Sequence, residues 1–260
     1  MLADCHFHPL DMGERYNKES VFQGAGASAH PRQWPALREW SADSGAPRVL
    51  GIHPWAVQSD PSANAARLTE LHGLLSDARC RPAAVGEIGL DKARGKENFQ
   101  EQLEVFRRQA EWAGELGLPI VLHCVRAYAE TAAVLKESRF LRGGPAAEGR
   151  AGLVHGFWGS AEICREWLRM GFFISINPKF ILRACSASEP ADNPWRVKLA
   201  ALAAVIPSDR LLLESDAPWG LSEPAEIEKT AACLSGLRSE GGPEIIGVCS
   251  ENLRRLFDLS

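Results

Sequence analysis

The sequence lacks the features that mark membrane-spanning, exported or disulfide-rich proteins. It has no run of about 18 consecutive apolar residues, so no transmembrane helix is expected. Its start, Met-Leu-Ala-Asp-Cys-His, shows neither a basic segment nor an apolar run of signal length. The seven cysteines are scattered and form no Cys-x-x-Cys pair, which is typical of reduced thiols rather than of a disulfide framework or a zinc ribbon. These absences predict a soluble cytoplasmic protein.

The sequence also lacks an excess of positive charge. Its 29 Lys and Arg residues are outnumbered by 33 Asp and Glu residues, which gives a formal net charge of −4. This balance excludes a protein that coats nucleic acid through a generally basic surface, but it is compatible with a local basic patch. No composition shift, internal repeat or low-complexity tract divides the 260 residues. We therefore expect one domain over residues 1–260, with 45% hydrophobic residues to form its core.

Short apolar runs and helical patterns alternate along the chain. Most of the runs are almost continuously apolar, as expected for a buried parallel sheet. Strands are predicted at residues 2–6, 21–25, 48–52, 84–88, 120–123, 152–155, 172–176 and 211–214. The clearest helical pattern covers residues 96–116 and is ended by Gly117 and Pro119. Further helices are predicted near Trp34 to Trp40 and at residues 68–78, 128–137, 160–170, 197–204, 223–237 and 244–257.

This alternation predicts an α/β fold, a (β/α)8 TIM barrel. A doubly wound open sheet is the alternative, but it usually carries a Gly-rich phosphate fingerprint after its first strand. Here His6, His8 and Pro9 stand in that place, which favours the barrel. The first crossover, residues 8–20, is too short and polar for a full helix, so we predict that it is shortened to a loop. Residues 143–152 and 184–194 are rich in Gly, Pro, Ser and Ala and are predicted to be surface loops.

The segment Asp4-Cys5-His6-Phe7-His8 carries two histidines at the end of the first predicted strand. Because side chains alternate along a strand, His6 and His8 face the same way, together with Asp4. Two imidazoles on one face at a strand end can bind one divalent cation. The alternative is a pair of half-buried polar histidines with no ligand.

Other predicted strands also end in residue types that bind metals. In a TIM barrel the carboxyl ends of the strands form one rim, where the chemistry takes place. The candidates on this rim are His6, His8, Glu87, His123, His155 and Asp216. Taken singly, Glu87 is also compatible with an ion pair and Asp216 with a helix N-cap. The full set exceeds what one tetrahedral ion needs, which favours a two-metal centre bridged by a carboxylate.

The remaining candidates have weaker signals. His53 ends the third strand and is a seventh candidate, which would orient a ligand or line the pocket. His30 and His72 are predicted to be ordinary surface residues. Cys124 follows His123 without a base placed by the sequence, and no serine occupies a Gly-x-Ser-x-Gly elbow. Nucleophilic catalysis through a covalent intermediate is therefore not expected.

These motifs resemble the TatD family of metal-dependent hydrolases, within the amidohydrolase-like barrels. They occur in the family's order and cover nearly the whole chain. The matching segments are Asp4-Cys5-His6-Phe7-His8, Gly51-Ile52-His53-Pro54, Gly86-Glu87-Ile88-Gly89-Leu90-Asp91, Phe106-Arg107-Arg108-Gln109, Leu118-Pro119-Ile120-Val121-Leu122-His123, Val154-His155-Gly156-Phe157-Trp158-Gly159-Ser160, Leu213-Glu214-Ser215-Asp216-Ala217-Pro218 and Glu251-Asn252-Leu253-Arg254-Arg255-Leu256-Phe257.

The resemblance implies a TIM barrel that performs metal-dependent hydrolysis, with exonuclease activity at DNA 3′ ends in some family members. Carried over by position, the family's metal-site residues are His6, His8, Glu87, His123, His155 and Asp216. The cofactors would be divalent ions, with two expected, and the sequence does not choose between Mg, Mn and Zn. The expected partner is a single-stranded DNA or RNA end as substrate, and no obligate protein partner is indicated.

The chain departs from the family pattern where phosphate contacts are expected. The family's longer helical stretch between the first two strands is reduced, and Arg126 is displaced by one position after His123. After Asp216 the family commonly has a basic segment, whereas this chain has Trp219-Gly220-Leu221-Ser222-Glu223-Pro224-Ala225-Glu226. Lys179 and Arg183, which follow the seventh strand, are candidate replacements because phosphate binding needs cations. Their alternative role is that of an ordinary solvated loop.

Three functions are consistent with these observations. The leading one is hydrolysis of phosphodiester bonds in nucleic acid through a metal-activated water, with Asp216 and Glu87 as catalytic residues and Asp216 as the proton acceptor. The second is metal-dependent hydrolysis of a small-molecule ester, lactone or amide, which the loss of the basic segment motivates. The third is a catalytically inactive barrel that serves as a binding module, which the intact set of ligand-type residues disfavours.

Overall fold

The structure is a computed structural model, and it describes residues 2–13, 22–78, 81–186, 188, 190 and 192–259. In this part of the chain eight strands form one sheet, paired in parallel in chain order. Their bounds are β1 Leu2–Phe7, β2 Phe22–Ala27, β3 Arg48–Leu50, β4 Ala84–Asp91, β5 Ile120–Val125, β6 Gly152–Phe157, β7 Phe172–Ile176 and β8 Leu211–Leu212. The predicted order of strands is confirmed.

Backbone hydrogen bonds between β1 and the segment after β8 nearly close the sheet into a barrel. Cys5 N–H donates to Leu213 O at 2.9 Å, and further along the strand His8 N–H donates to Ala217 O at 2.8 Å. Asp216 N–H donates back to His6 O at 3.0 Å. The fold is therefore the predicted TIM barrel, and its seam joins the first histidines to Asp216.

Helices lie between the strands. Their bounds are α1 Trp34–Ser44, α2 Pro61–Ser76, α3 Phe99–Leu116, α4 Tyr128–Glu137, α5 Gly144–Ala147, α6 Ala161–Arg169, α7 Pro178–Ala184, α8 Pro194–Val205, α9 Ile227–Ser235 and α10 Gly242–Phe257. Among the described residues, none of these helices combines the length and the apolar character needed to cross a membrane.

Two helices were not predicted. The loop predicted at residues 143–152 contains α5, whose single turn is too short to show a helical period. The helix α7 directly follows β7, and its seven residues likewise fall below a clear period. Its sequence does carry a start signal, since the Asn177 side chain accepts a hydrogen bond from Lys179 N–H and Pro178 occupies the first turn. Lys179 and Arg183 are therefore on a helix and not on a loop.

Several element boundaries also differ from the prediction. The third strand ends at Leu50 instead of residue 52, because Ile52 N–H bonds to the Gln109 side chain at 2.7 Å instead of to a neighbouring strand. The eighth strand stops at Leu212 instead of residue 214. The helix predicted at residues 223–237 begins only at Ile227, because Pro224–Glu226 forms a 3-10 turn.

The first crossover lies largely outside the described residues. Its described start is a 3-10 helix over Pro9–Asp11. The predicted loop at residues 14–20 and the predicted first residue of the second strand, residue 21, are not among the described residues. The loop predicted at residues 184–194 is described in part, between the end of α7 and the start of α8.

An apolar cluster fills one end of the barrel, and we call it the floor. Every strand contributes, so the cluster lies inside the barrel, and three residues of α10 pack against it. Its members are Ala3, Cys5, Ala25, Ala27, Val49, Ala84, Val121, Leu153, Phe173, Leu212, Leu253, Leu256 and Phe257. A larger apolar cluster contains buried residues of both the strands and the surrounding helices. The floor is apolar, so polar side chains that face the barrel interior lie at the carboxyl ends of the strands.

Candidate metal centre

Polar side chains occupy the inward positions directly beyond the floor. In β5 the floor residue Val121 is followed two positions later by His123, and in β6 Leu153 is followed by His155. Because side chains alternate along a strand, each histidine faces the same interior as its apolar neighbour. We call the polar side chains at these strand ends the rim. The six predicted ligand residues all belong to it.

Glu87 lies at the centre of the rim, buried to 1% exposure. Its Oε1 atom is 2.9 Å from His123 Nδ1 and 2.7 Å from His155 Nε2. Its Oε2 atom is 3.2 Å from His6 Nε2 and 3.6 Å from His8 Nε2. The two oxygens of one carboxylate therefore face different sets of imidazoles.

Asp216 lies on the Oε2 side of Glu87. Its Oδ1 atom is 3.5 Å from His8 Nε2 and 3.9 Å from His6 Nε2. Asp216 has a φ of 50°, in the left-handed region that Asp tolerates better than most residues. It caps none of the helices in the described part of the chain, so the N-cap interpretation has no support.

His53, the seventh candidate, also reaches the rim. Its Nε2 atom is 3.2 Å from Glu87 Oε1 and 3.2 Å from His123 Nδ1. Its Nδ1 atom accepts a hydrogen bond from Trp55 N–H at 3.1 Å, so the neutral ring carries its proton on Nε2. A nitrogen that carries a proton has no lone pair for a metal. In this tautomer His53 faces the centre as a hydrogen-bond donor, although its distances alone would place it among the ligands.

Asp91 is a site residue that the sequence analysis did not single out. Its Oδ2 atom is 3.1 Å from His123 Nε2 and accepts a hydrogen bond from Trp55 Nε1–H at 2.7 Å. Its Oδ1 atom accepts from the backbone of Ala93 and Arg94. A carboxylate held in this way orients the His123 ring and directs Nδ1 towards Glu87. The available signal was its place at the end of the Glu87 strand.

Glu214 is a second residue that the sequence analysis overlooked. Its Oε1 atom accepts from Gly156 N–H at 2.8 Å, and its Oε2 atom is 3.8 Å from His155 Nδ1. Strand alternation gave a signal, because Leu212, Glu214 and Asp216 are spaced by two. Glu214 is buried behind His155 and faces the nitrogen that points away from Glu87.

Asp4 is not part of the rim, contrary to the predicted shared face with His6 and His8. Its carboxylate accepts hydrogen bonds from Ser215 N–H at 3.0 Å, Ser215 Oγ–H at 2.6 Å and His6 N–H at 3.2 Å. The strand pairing shifts register between Asp4 and Phe7, so the simple alternation does not continue to His8. Asp4 instead ties β1 to the residue before Asp216.

The charge states of the rim are mixed. Burial would raise the pKa of Glu87, but His155, His53 and His6 outweigh it and hold that pKa well below its ordinary value. Burial also opposes ionisation of Asp216, whose pKa is nevertheless lowered, chiefly by its hydrogen bond with His8. Burial lowers the pKa of His6 to about 4, so its ring is neutral at pH 7. The neighbouring carboxylates outweigh burial at His8, His123 and His155 and raise the pKa of each ring, so a divalent cation would have to displace protons there.

An orphaned nitrogen and the ligand spacing test whether the rim fits such a cation. His6 Nε2, which faces Glu87 Oε2 at 3.2 Å, is buried and makes no hydrogen bond to the described residues. In three triads, His6–His8–Asp216, His6–Glu87–His155 and His53–Glu87–His123, the candidate ligand atoms lie within 4.8 Å of one another. Ligands at 2.0–2.1 Å from a tetrahedral zinc ion would be about 3.4 Å apart. The donor set therefore fits divalent metal binding.

The rim opens into a cavity of about 50 Å³. It is lined by His8, Ala29, His53, Trp55, Glu87, His123, His155, Asp216 and Trp219. Cys124 does not reach it: the thiol is buried against Thr131, and burial raises its pKa to about 12. This agrees with the prediction that Cys124 is not a nucleophile.

Comparisons with known proteins identify the family. The family model described as TatD related DNase matches residues 4–258. The chain is 30% identical over 220 residues to the metal-dependent hydrolase YabD of Bacillus subtilis, which covers 82% of this chain and 77% of that protein. It is 32% identical over 224 residues to the 3′-5′ ssDNA/RNA exonuclease TatD of Erwinia billingiae, covering 81% and 77%. The crystal structure of YjjV, a TatD homolog from Escherichia coli, superposes with a TM-score of 0.80 at 23% identity, covering 100% and 98%, and shows the same fold.

Proposed function

The chain belongs to the TatD-related DNase family and is a TatD-type metal-dependent hydrolase, and from this premise we propose that it cleaves phosphodiester bonds at the ends of single-stranded nucleic acid. The observation that carries the proposal is the position of Glu87, whose two oxygens face different sets of imidazoles. The Erwinia billingiae relative, 32% identical over 224 residues, is a 3′-5′ exonuclease of single-stranded DNA and RNA by name.

We propose that the rim binds two divalent ions. His6, His8 and Asp216 would hold one, His123 and His155 would hold the other, and Glu87 would bridge them. When bound, such ions lower the pKa of a water molecule and stabilise negative charge on a phosphate oxygen. The distances support this division, since Asp216 approaches only the imidazoles on the Oε2 side of Glu87.

The side chains themselves have separate roles in this proposal. Asp216 is ionised at neutral pH because its pKa is lowered, and it lines the cavity, so it is the group that accepts the proton of the attacking water. His53 presents an N–H donor beside Glu87, where it can bind an oxygen of the substrate. Asp91 keeps the His123 ring oriented. Glu214 lies against the far nitrogen of His155 and limits its rotation.

Two cations on the helix that begins beside the rim support a phosphate-containing substrate. Lys179 and Arg183 are exposed on α7, the helix that follows β7. Its first residue, Pro178, packs against Gly220 in the turn that follows Asp216, where a β-carbon on Gly220 would lie 3.2 Å from Pro178 Cγ. The helix with these cations therefore adjoins the proposed proton acceptor.

A small-molecule ester, lactone or amide is the second candidate substrate. It is favoured by the small cavity of about 50 Å³ over the rim. The segment after Asp216 also supplies Glu223 and Glu226 where the family pattern is basic.

The experiment is a screen of metals against substrates. The purified protein, loaded separately with Mg²⁺, Mn²⁺ or Zn²⁺, is incubated with 3′-labelled and 5′-labelled single-stranded DNA and RNA, and with a panel of esters and lactones. We expect metal-dependent shortening of the oligonucleotides from the 3′ end, absent in Asp216→Asn prepared in the same way, which controls for contaminating nucleases. Hydrolysis of esters or lactones without cleavage of any oligonucleotide would instead establish the second candidate.

A further inference from the structure

Two large aromatic side chains are exposed at the mouth of the rim cavity. Among the described residues, the large hydrophobic side chains left exposed are Trp55 at 46%, Trp219 at 53% and Val197 at 60%. Both tryptophans line the cavity that contains Glu87 and Asp216. Exposed aromatic surface is unfavourable in water unless a partner covers it, so two such residues beside a polar centre indicate a planar ligand.

Trp219 is held rigidly close to Asp216. Leu221 N–H donates to Ser215 O at 2.8 Å, and Gly220 N–H donates to Asp216 O at 2.5 Å. A β-carbon on Gly220 would lie 2.2 Å from Ser215 O, so this turn requires glycine directly after Trp219. Within the described part of the chain, the Trp219 ring has no hydrogen bond and no ring contact. The turn fixes the backbone at Trp219, and the ring presents a free aromatic surface.

Trp55 is fixed from another strand end. Its Nε1–H donates to Asp91 Oδ2 at 2.7 Å, and its ring lies edge-on to His53 at a centroid distance of 4.7 Å. The exposed Arg94 guanidinium lies over the ring at 4.1 Å from its centroid. An aromatic ring stacked with a guanidinium extends a flat surface on which a base can stack, and it brings a positive charge.

A second, larger cavity is also lined by Trp55 but by none of the rim residues. Its volume is about 520 Å³, within the range of small-ligand sites. Trp55 and Arg94 line it together with polar residues that include Gln58, Ser59, Glu97 and Asn98. Trp55 thus separates the metal centre from a space large enough for a nucleotide.

We propose that Trp219 and the Trp55–Arg94 pair stack on neighbouring bases of a single strand and so hold its end over Glu87 and Asp216. This inference rests on the proposed nuclease function and deepens it. Stacking on aromatic rings is tolerant of base identity, so the site would bind single strands through their bases. Such binding compensates for the missing basic segment, because Trp219 stands at the start of the segment that replaces it. Two platforms beside a nucleotide-sized cavity fit a strand better than one small aromatic ester.

The test measures whether the contribution of Trp219 to binding depends on the presence of a base in the substrate. Wild type, Trp219→Ala, Trp219→Phe and the matched control Val197→Ala are assayed on a single-stranded oligonucleotide and on the same strand with abasic sites at its two terminal positions. We expect Trp219→Ala to raise KM for the normal strand roughly 5- to 100-fold, the worth of one stacked base. Its kcat and metal content should stay near wild type, and Trp219→Phe should recover most of the affinity.

The abasic strand separates stacking from other roles of Trp219. Wild type should lose affinity for it, whereas Trp219→Ala should bind both strands about equally. An equal abasic penalty in wild type and Trp219→Ala would overturn the stacking proposal while leaving the nuclease function intact. A fall in kcat or metal content of Trp219→Ala with unchanged KM would also overturn the stacking proposal, because Trp219 would then only hold Asp216 in position. Loss of aryl-ester hydrolysis in Trp219→Ala, with oligonucleotide kinetics unchanged, would also overturn it. If wild type binds and cleaves no single strand, both the inference and the proposed function fail.

Discussion

The floor and the rim of the barrel are built from the same strands but have opposite characters. In β5 and β6 they are separated by one step of strand alternation, from Val121 to His123 and from Leu153 to His155. In these two strands the floor residues Val121 and Leu153 are apolar and fully buried, whereas the rim residues His123 and His155 are imidazoles with carboxylates beside them. In each of these strands, two positions along the chain separate a residue of the apolar core from a residue of the proposed metal centre.

The two regions also differ in what burial does to stability. Apolar surface on the floor stabilises the folded chain by about 25 cal/mol per Å² removed from water. On the rim, burial of carboxylates and of ring nitrogens that lack hydrogen-bond partners destabilises the folded chain until a ligand pairs with these groups. Substitutions on the rim should therefore change metal binding and turnover, and substitutions on the floor should change the free energy of unfolding.

Metal removal should have the largest effect and should act through the rim alone. Thorough chelation is expected to abolish turnover and to lower the melting temperature, because a bound ion stabilises only the folded chain, by about 4 kcal/mol when it is present at 1,000 times its Kd. Turnover and melting temperature are measured before chelation, after it and after metal is added back. If turnover and melting temperature are unchanged after chelation, the rim is not a metal centre and does not differ from the floor in function.

Asp216→Asn should have the second-largest effect on turnover. It tests whether Asp216 accepts a proton or only shapes the rim. Asparagine keeps the shape but cannot accept the proton, so turnover is expected to fall by ~10²–10⁴-fold with part of the metal retained. The measurement is kcat at saturating metal, with Asp209→Asn on the exposed surface as the control. A rate within a few-fold of wild type would exclude Asp216 as the proton acceptor.

Phe173→Ala should break the floor and leave the rim intact. Phe173 is fully buried, with the guanidinium groups of Arg210 and Arg255 at 5.0 and 5.1 Å from its ring centroid. Its loss should lower the free energy of unfolding by about 3–5 kcal/mol. Denaturant unfolding of the metal-free protein gives this change, and titration of the folded variant gives its metal affinity. Loss of metal affinity with unchanged stability would contradict the division between floor and rim.

The smallest effect is expected outside both regions, at Lys179 and Arg183. Replacing both with alanine should weaken oligonucleotide binding a few-fold at low salt. The slope of log K against log salt should fall by about 1.4 if both contact phosphates of a single strand. Arg165→Ala combined with Arg169→Ala removes the same charge from the exposed surface of α6 and serves as the control. Equal slopes in the two double variants would exclude Lys179 and Arg183 from substrate binding.

Sequence reasoning reached the residues whose signal is local. His123 and His155 end apolar runs in a predicted barrel, and this position alone places them on the rim. Asp4 was misplaced because the register shift after it depends on pairing with β2, which the alternation within one strand does not report. The role of His53 was left open because its tautomer depends on a hydrogen bond from Trp55 N–H. Asp91 orients His123 across two strands, and neither strand alone specifies that contact.

The measurement that tests the central claim most directly is the number of metal ions bound by Glu87→Gln. The substitution preserves size and removes the charge that faces both halves of the rim. Isothermal titration and metal analysis should give two ions per chain for wild type and at most one for the variant, with unchanged circular dichroism. Glu137→Gln, at a side chain that is 66% exposed, should bind as wild type does. The same stoichiometry and affinity in Glu87→Gln and wild type would contradict a metal centre built around Glu87.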